Sequence, residues 1–418
     1  MRARLLVLST ILCSTLAAPV RPALADEALE EIAGARQVCA GGPAEAVARA
    51  QRARGEAGVA LSQVWPNPTF RVEHQGTVKN SNGEETIVGL SLPLGIGGRR
   101  FLLQDAAQAR REKALADAHA TRLESALAFR EAYVAAATDQ ARVDVLAEQQ
   151  AALDGLGTAV EKLARGGEAA GYDLVRQQMQ GRLHRRLLQS AKAQAAAALA
   201  LLEAWTGKTL TLAPVKLAGL AGGAAVRSPA EGVRHPRVES LEAEALASSY
   251  DARAARRRWI PDLDLFAGYR TSSVGPSTDQ GFEVSIGIPL TLFDHGQGEA
   301  AQAEAEQHLA RSSAELLRRQ SEAARKSAAS QLAVLEAGQT DLEQASSDAL
   351  AIQASASRLY SAGEATITEL IDAFRTSEEA RLARVELAKE VANARLSLMR
   401  SSGTQFDAAL DRECGAGR

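Results

Sequence analysis

The sequence predicts a mainly α protein with a smaller β part, built as two copies of one unit. Three observations carry that expectation. The chain aligns with itself at an offset of about 196 residues, as between Pro93 and Pro289, the mark of an internal duplication. Two long stretches, 99–165 and 297–361, contain no proline, so each can run as one helix of about 100 Å at 1.5 Å per residue. Four short segments alternate apolar and polar residues with the period of two expected of strands.

The elements follow in chain order. Residues 1–25 read as a signal peptide: Arg2 and Arg4 precede an apolar run from Leu5, and Ala23-Leu24-Ala25 is a small-residue cleavage site. The mature chain is therefore expected to be exported, with a short amino-terminal segment at 26–42. The first repeat spans 43–207. Its opening helix, 43–64, stops before Pro66 and Pro68, because proline lacks an amide donor and restricts the residue before it. Strands are expected at about 69–78 and 86–94, joined by the polar turn Lys79-Asn80-Ser81-Asn82-Gly83. A helical hairpin at about 99–206 completes the repeat.

A linker at 208–235 leads to the second repeat, 236–403, with strands at about 262–271 and 281–292 and a helical hairpin at about 297–403. Residues 404–418 form a tail. Further landmarks hold the same offset: Gly167-Glu168-Ala169 falls on Gly363-Glu364-Ala365, Leu174 on Leu370, and Gly207 on Gly403.

Each strand has one apolar face, with Phe70, Val72 and His74 in the first and Phe282, Val284 and Ile286 in the last. Their length of roughly ten residues suits a tilted transmembrane strand. No apolar stretch after the signal reaches the roughly 20 residues of a membrane-spanning helix. The long helices carry a spacing of three and four through Val143, Leu146, Gln150, Leu153, Gly157, Val160 and Ala164, the rhythm of a coiled coil. The second repeat has small and amide residues in the same seam. Such residues favour shallow packing in a curved wall of helices over a solid bundle core. In each repeat the two shorter helices together match the long one in length, so they are expected to stack end to end beside it.

Four strands cannot close a membrane barrel, and open edges are not tolerated in lipid. Several chains must contribute, and three copies, giving twelve strands, open a wide lumen.

Function classes are narrowed by what the residues do and do not arrange. With 48 basic and 51 acidic residues and a net charge of −3, nothing argues for a nucleic-acid partner. No Ser/His/Asp, Cys/His or paired-carboxylate set sits where it would face a substrate, so neither an enzyme nor a cofactor is expected. The six histidines are scattered without ligand spacing, so no fixed metal site is expected. Cys39 and Cys414 remain after signal removal. In an exported protein they are candidates for a disulfide, although sequence leaves open whether they pair.

Several runs resemble the TolC-type outer-membrane efflux family. They are Trp65-Pro66-Asn67-Pro68, the stretch from Ile288-Pro289-Leu290-Thr291-Leu292-Phe293-Asp294 into Gly296-Gln297-Gly298, and the Gly363-Glu364 tip followed by Thr368-Glu369-Leu370-Ile371-Asp372-Ala373. The resemblance covers nearly the whole mature chain. It implies a homotrimer with a twelve-stranded β-barrel in outer-membrane lipid, joined to an α-helical barrel in the periplasm. It further implies a periplasmic adaptor and an inner-membrane pump, expected to be of the RND type. The segment from Ile288 through Glu299 is most similar to the cobalt-zinc-cadmium and copper efflux branch, so heavy-metal cations are the expected cargo. The segment before Pro43 departs from the family in being shorter and less regular than its usual opening helix.

By the same resemblance, Glu369 and Asp372 occupy positions that close the periplasmic entrance, and Tyr360 and Asp173 occupy positions that link neighbouring hairpins by a hydrogen bond. On the residues alone, acidic side chains also suit the first turn of a helix, and Asp173 is an ordinary helix-start residue. The tips Gly167, Glu168, Gly363 and Glu364 are expected to meet the adaptor, although glycine there also serves to end a helix. Two other functions share much of this pattern: the same channel serving drug or protein secretion, and a periplasmic coiled-coil adaptor or structural protein. Two equal repeats, each with its own strand pair, favour the channel.

Overall fold

The computed structural model describes residues 28–76, 83–166, 171–207, 209–212, 217–222, 234–274, 276–405, 410 and 414. The expected signal segment, most of the first strand turn, and the tip residues Gly167 and Glu168 lie outside the described residues.

The two repeats are present as helices and strands in the same order. The first comprises α2 (Pro43–Gln63), β2 (Thr69–Gly76), β3 (Glu84–Leu94), α3 (Arg99–Gly166) and α4 (Gly171–Thr206). The second comprises α5 (Pro236–Arg256), β5 (Leu263–Val274), β6 (Ser277–Gly287), α6 (Gln297–Ser361) and α7 (Ile367–Ser402). At 68 and 65 residues, α3 and α6 extend about 100 Å each. No helix is long and apolar enough to cross a membrane among the described residues.

Contacts along α3 define the wall. The sheet-proximal part of α3 meets α2 through Arg122 and Glu45 on one flank and α5 through Lys113 and Glu244, 3.3 Å apart, on the other. Its far part meets α4 where Gln177 Nε2 donates to Leu153 O (2.7 Å), and α7 where Gln149 Nε2 donates to Phe374 O (2.7 Å). Helix α6 packs on α5 and then on α7. The short helices thus stack end to end beside the long ones. The outer flanks of α4 and α6 meet no further helix among the described residues and expose Val175, Met179, Leu183, Leu309, Leu316 and Val334.

One antiparallel sheet, in the order β2-β3-β5-β6, joins the strands of both repeats. Its register puts Phe70, Leu90, Ala267 and Val284 in one row and Val72, Val88, Tyr269 and Phe282 in another, so one face is apolar over its helix-proximal part and turns polar beyond it at His74, Thr86, Thr271 and Gln280. The other face carries Arg71, Glu73, Glu85, Asp264, Arg270 and Glu283, with Arg270 and Glu85 3.3 Å apart. Phe266 is an exception on this polar face. Its ring lies over the paired glycines Gly89 and Gly268, where an added Cβ would come within 2.6 and 2.7 Å of it.

Strand ends differ from expectation in the second repeat. β6 starts earlier, at Ser277, because its ladder with β5 closes at Val274 and Ser277, and it ends at Gly287. Beyond that point Pro289 supplies no amide hydrogen for a ladder. The amino-terminal segment is also more ordered than its sequence suggested. It forms β1 (Ala28–Leu29), parallel to β4 (Thr211–Leu212), and α1 (Glu31–Gly41), a helix whose apolar pattern is diluted by Gly34 and Gly41.

The largest core cluster lies part-way along the wall. It gathers Val38 and Cys39 of α1, Phe129 and Tyr133 of α3, Leu396 and Met399 of α7, and Leu410. Arg130, only 1% exposed, donates from Nε to Glu31 Oε1 (2.6 Å), and Glu31 Oε2 accepts from Ala221 N (2.9 Å). A disulfide joins Cys39 to Cys414, with Cα atoms 5.5 Å apart.

Candidate functional site at the helical tip

Far from the sheet, both helical hairpins turn. The second turn is short because Gly363 adopts a left-handed φ of 78°, and its amide donates to Tyr360 O (3.0 Å) while that of Glu364 donates to Leu359 O (2.9 Å). Glycine adopts this conformation without the clash a Cβ would bring. Thr366 then caps α7. Its Oγ1 accepts from Glu369 N (3.3 Å), and Glu369 Oε2 accepts from Thr366 N (2.7 Å), a reciprocal capping box.

The hairpins meet through an apolar cluster of Leu153 and Val160 from α3 with Ile367, Leu370, Ile371 and Phe374 from α7. Tyr360 packs at its margin, half-buried. Burial pushes its phenol up from the ordinary value, and the nearby Asp173 carboxylate adds to the shift. The hydrogen bond that crosses from α4 to α7 at the tip is made by Arg176, which donates from Nη1 to Thr368 Oγ1 (3.0 Å) and to Tyr172 Oη (3.2 Å).

The two expected gate carboxylates have different surroundings. Hydrogen bonds from the backbone and side chain of Thr366 hold the Glu369 carboxyl below its usual range, so this group serves its own helix start. Asp372, one turn on, is exposed, and its charge helps raise the Arg375 guanidinium, whose main partner is Glu379. Glu364 is exposed at the turn beside Gly363.

A second layer lies deeper in the same junction. His184 of α4, 1% exposed, has Nδ1 3.0 Å from Gln150 Oε1 and Nε2 3.3 Å from Glu378 Oε2. One imidazole thus spans α3, α4 and α7. Gln149 and Gln177 add buried hydrogen bonds, donated by their side-chain amides to carbonyls of neighbouring helices. Sequence reading placed Gln150 in the seam but did not join it to His184, whose spacing from other histidines carried no signal. Amides at core positions of a heptad pattern were the available clue. Among the described residues, no three His, Cys, Asp or Glu side chains converge as a metal site.

Residues 232–404 match the outer membrane efflux protein family. A relative, the nickel-cobalt-cadmium resistance protein NccC of Alcaligenes xylosoxydans xylosoxydans, is 26% identical over 293 residues, 68% of this chain and 65% of the relative. The match therefore spans just under two thirds of that relative's length. The outer-membrane channel OprN superposes with a TM-score of 0.75 at 20% identity, covering 90% of each chain. The outer membrane protein VceC of Vibrio cholerae superposes with a TM-score of 0.73 at 16% identity, covering 90% of this chain and 96% of VceC. Both superpositions show that the chain shares the fold of these solved outer-membrane proteins.

Proposed function

We propose that the chain is the outer-membrane exit duct of a tripartite efflux system, passively conducting heavy-metal cations from a periplasmic adaptor and an RND-type inner-membrane pump. The observation that carries this reading is the joint between one small sheet, with an apolar band across one face beside the helices, and a helical wall about 100 Å long. A sheet of this kind suits lipid on one side and an aqueous lumen on the other. The long wall suits a passage across the periplasm. Metal cargo is supported by the relative named for resistance to nickel, cobalt and cadmium.

The working unit is a homotrimer with a twelve-stranded barrel. Its support is that β2 and β6 form unpaired edges of the four-stranded sheet, which lipid does not tolerate, and that the free apolar flanks of α4 and α6 lie on opposite margins of one wall. A head-to-tail ring satisfies both pairs of margins at once. At the far end, Asp372 and Glu369 ring the entrance, Tyr360 and Asp173 lie at the hairpin junction, and the turns at Gly167-Glu168 and Gly363-Glu364 meet the adaptor.

Two measurements test the proposal. A deletion strain grown on graded nickel, cobalt and cadmium salts, and in parallel on drugs, should lose metal tolerance first and regain it with the intact gene. Drug sensitivity alone would overturn the metal assignment. Outer-membrane fractions should hold a heat-modifiable trimer, and a monomer there would overturn the barrel.

A further inference from the structure

The two junctions between helices and sheet carry a charge pattern that the packing of the chain does not require. Next to the apolar sheet, both expose large apolar side chains: Trp65 (65% exposed) and Phe101 (70%) in the first repeat, Trp259 (62%) and Phe293 (90%) in the second. Five arginines are interleaved with them. Arg99 and Arg100 open α3, and Arg256, Arg257 and Arg258 follow one another at the end of α5.

Three of the five are neutralised within the chain. Arg99 lies 3.7 Å from Glu299, Arg256 2.5 Å from Glu304, and Arg258 3.3 Å from Asp294. Arg100 and Arg257 differ, because neither has a carboxylate within ion-pair distance among the described residues. Arg100 donates to Gln63 O and lies 4.0 Å over the Trp65 ring, with its Nη1 buried and unpartnered. Arg257 donates to Gly97 O at 3.4 Å. Both guanidiniums are thus held by neutral groups that leave their charge uncompensated; Arg257 lies against Gly98, where an added Cβ would come within 2.7 Å of its Nη1, and Arg100 follows that glycine by two residues. Helix stability does not explain Arg100 either. The first turn of α3 contains no acidic residue, and a cation there opposes the helix dipole.

Tryptophan mixed with arginine at the rim of an apolar band is the composition of a membrane–water boundary. Lipids at that level present phosphate, the partner a free guanidinium recognises best. We propose that Arg100 and Arg257, framed by Trp65 and Trp259, form a site for the headgroup phosphate of an anionic glycerophospholipid in the leaflet facing the helical wall. The site anchors the sheet at a set depth, with the rings in the interface and the guanidiniums on phosphate. This inference rests on the reading of the apolar sheet face as lipid-exposed.

The test uses the purified full-length protein in detergent, titrated with phosphatidylglycerol, with diacylglycerol of the same chains, and with inorganic phosphate, while the thermal midpoint is followed. The midpoint should rise with phosphatidylglycerol alone. The double variant Arg100→Gln/Arg257→Gln should weaken the apparent affinity roughly thirtyfold, at about 1 kcal/mol for each arginine, and Arg100→Lys/Arg257→Lys should retain most of it. An equal response to diacylglycerol, a response to inorganic phosphate, no response at all, or a glutamine variant that responds as the parent does would each overturn the site. Should the glutamine variant not fold, the parent's choice among the three probes and the lysine variant still decide. Membrane fractionation of the parent separates the two readings: absence from the outer membrane sinks the channel proposal, whereas outer-membrane protein without a phosphatidylglycerol response sinks only the lipid site.

Discussion

At the scale of single residues, the buried pair Arg130 and Glu31 shows how a charge is held inside this protein. Its two ions are bonded to each other and also to the Met399 sulfur and the Ala221 amide, which offsets their desolvation. Arg130→Met would leave Glu31 buried without its counter-ion and should cost about 3–5 kcal/mol, read as a lowered melting midpoint by circular dichroism. At the tip, Thr366→Ala removes the cap of α7 and should cost about 1 kcal/mol, with faster amide exchange at Glu369. The capping box also fixes a pH dependence. Because the Glu369 carboxyl lies below its ordinary 4.5, its contribution is fully present above that value and is lost as pH falls through the lower folded value. Protection of the Thr366 amide relative to its intrinsic exchange rate should therefore fall in acid, and Glu369→Gln, which keeps an acceptor but not the charge, should remove that fall. Sequence placed Glu369 and Asp372 together as one acidic pair. The structure separates them, because only Glu369 stands three residues after a capping threonine.

At the scale of elements, neighbouring residues of β6 have opposite surroundings. Val284 belongs to the apolar face, in a row with Ala267 and Leu90, while Ser285 faces the other way beside Phe266. On the proposed trimeric barrel, Val284→Arg should destabilise the assembly by about 2–4 kcal/mol, whereas Ser285→Arg should leave assembly near that of the parent. Heat-modifiability on gels checks both, and equal effects would argue against the assignment of faces. This alternation was legible in the sequence because a period of two needs only local information. Phe266 was not. Its place on the polar face depends on Gly89, which reaches it through a ladder between different repeats. The ends of β6 were likewise set by pairing with β5, while α3 and α6 were readable nearly end to end, since helix bonds are local and no proline interrupts either stretch.

At the scale of the whole molecule, the disulfide between Cys39 and Cys414 ties α1 to the carboxy-terminal end across 375 residues of chain. Replacing both cysteines by alanine should cost about 2–5 kcal/mol, seen as a lower melting midpoint that reductant no longer changes. The sequence by itself determined the duplication, the four strands with one apolar face each, and the two helices too long for any compact domain, because each is written as periodicity along the chain. It was also enough to resemble the family that residues 232–404 match. Only the tertiary structure decided which residues meet between the repeats. The seating of α5 and α7 between α3 and α6, the Gln150, His184 and Glu378 contact, and the cysteine pairing all join positions far apart in sequence. Such contacts depend on how the two copies are rotated and stacked against each other, a three-dimensional relation that no local pattern records.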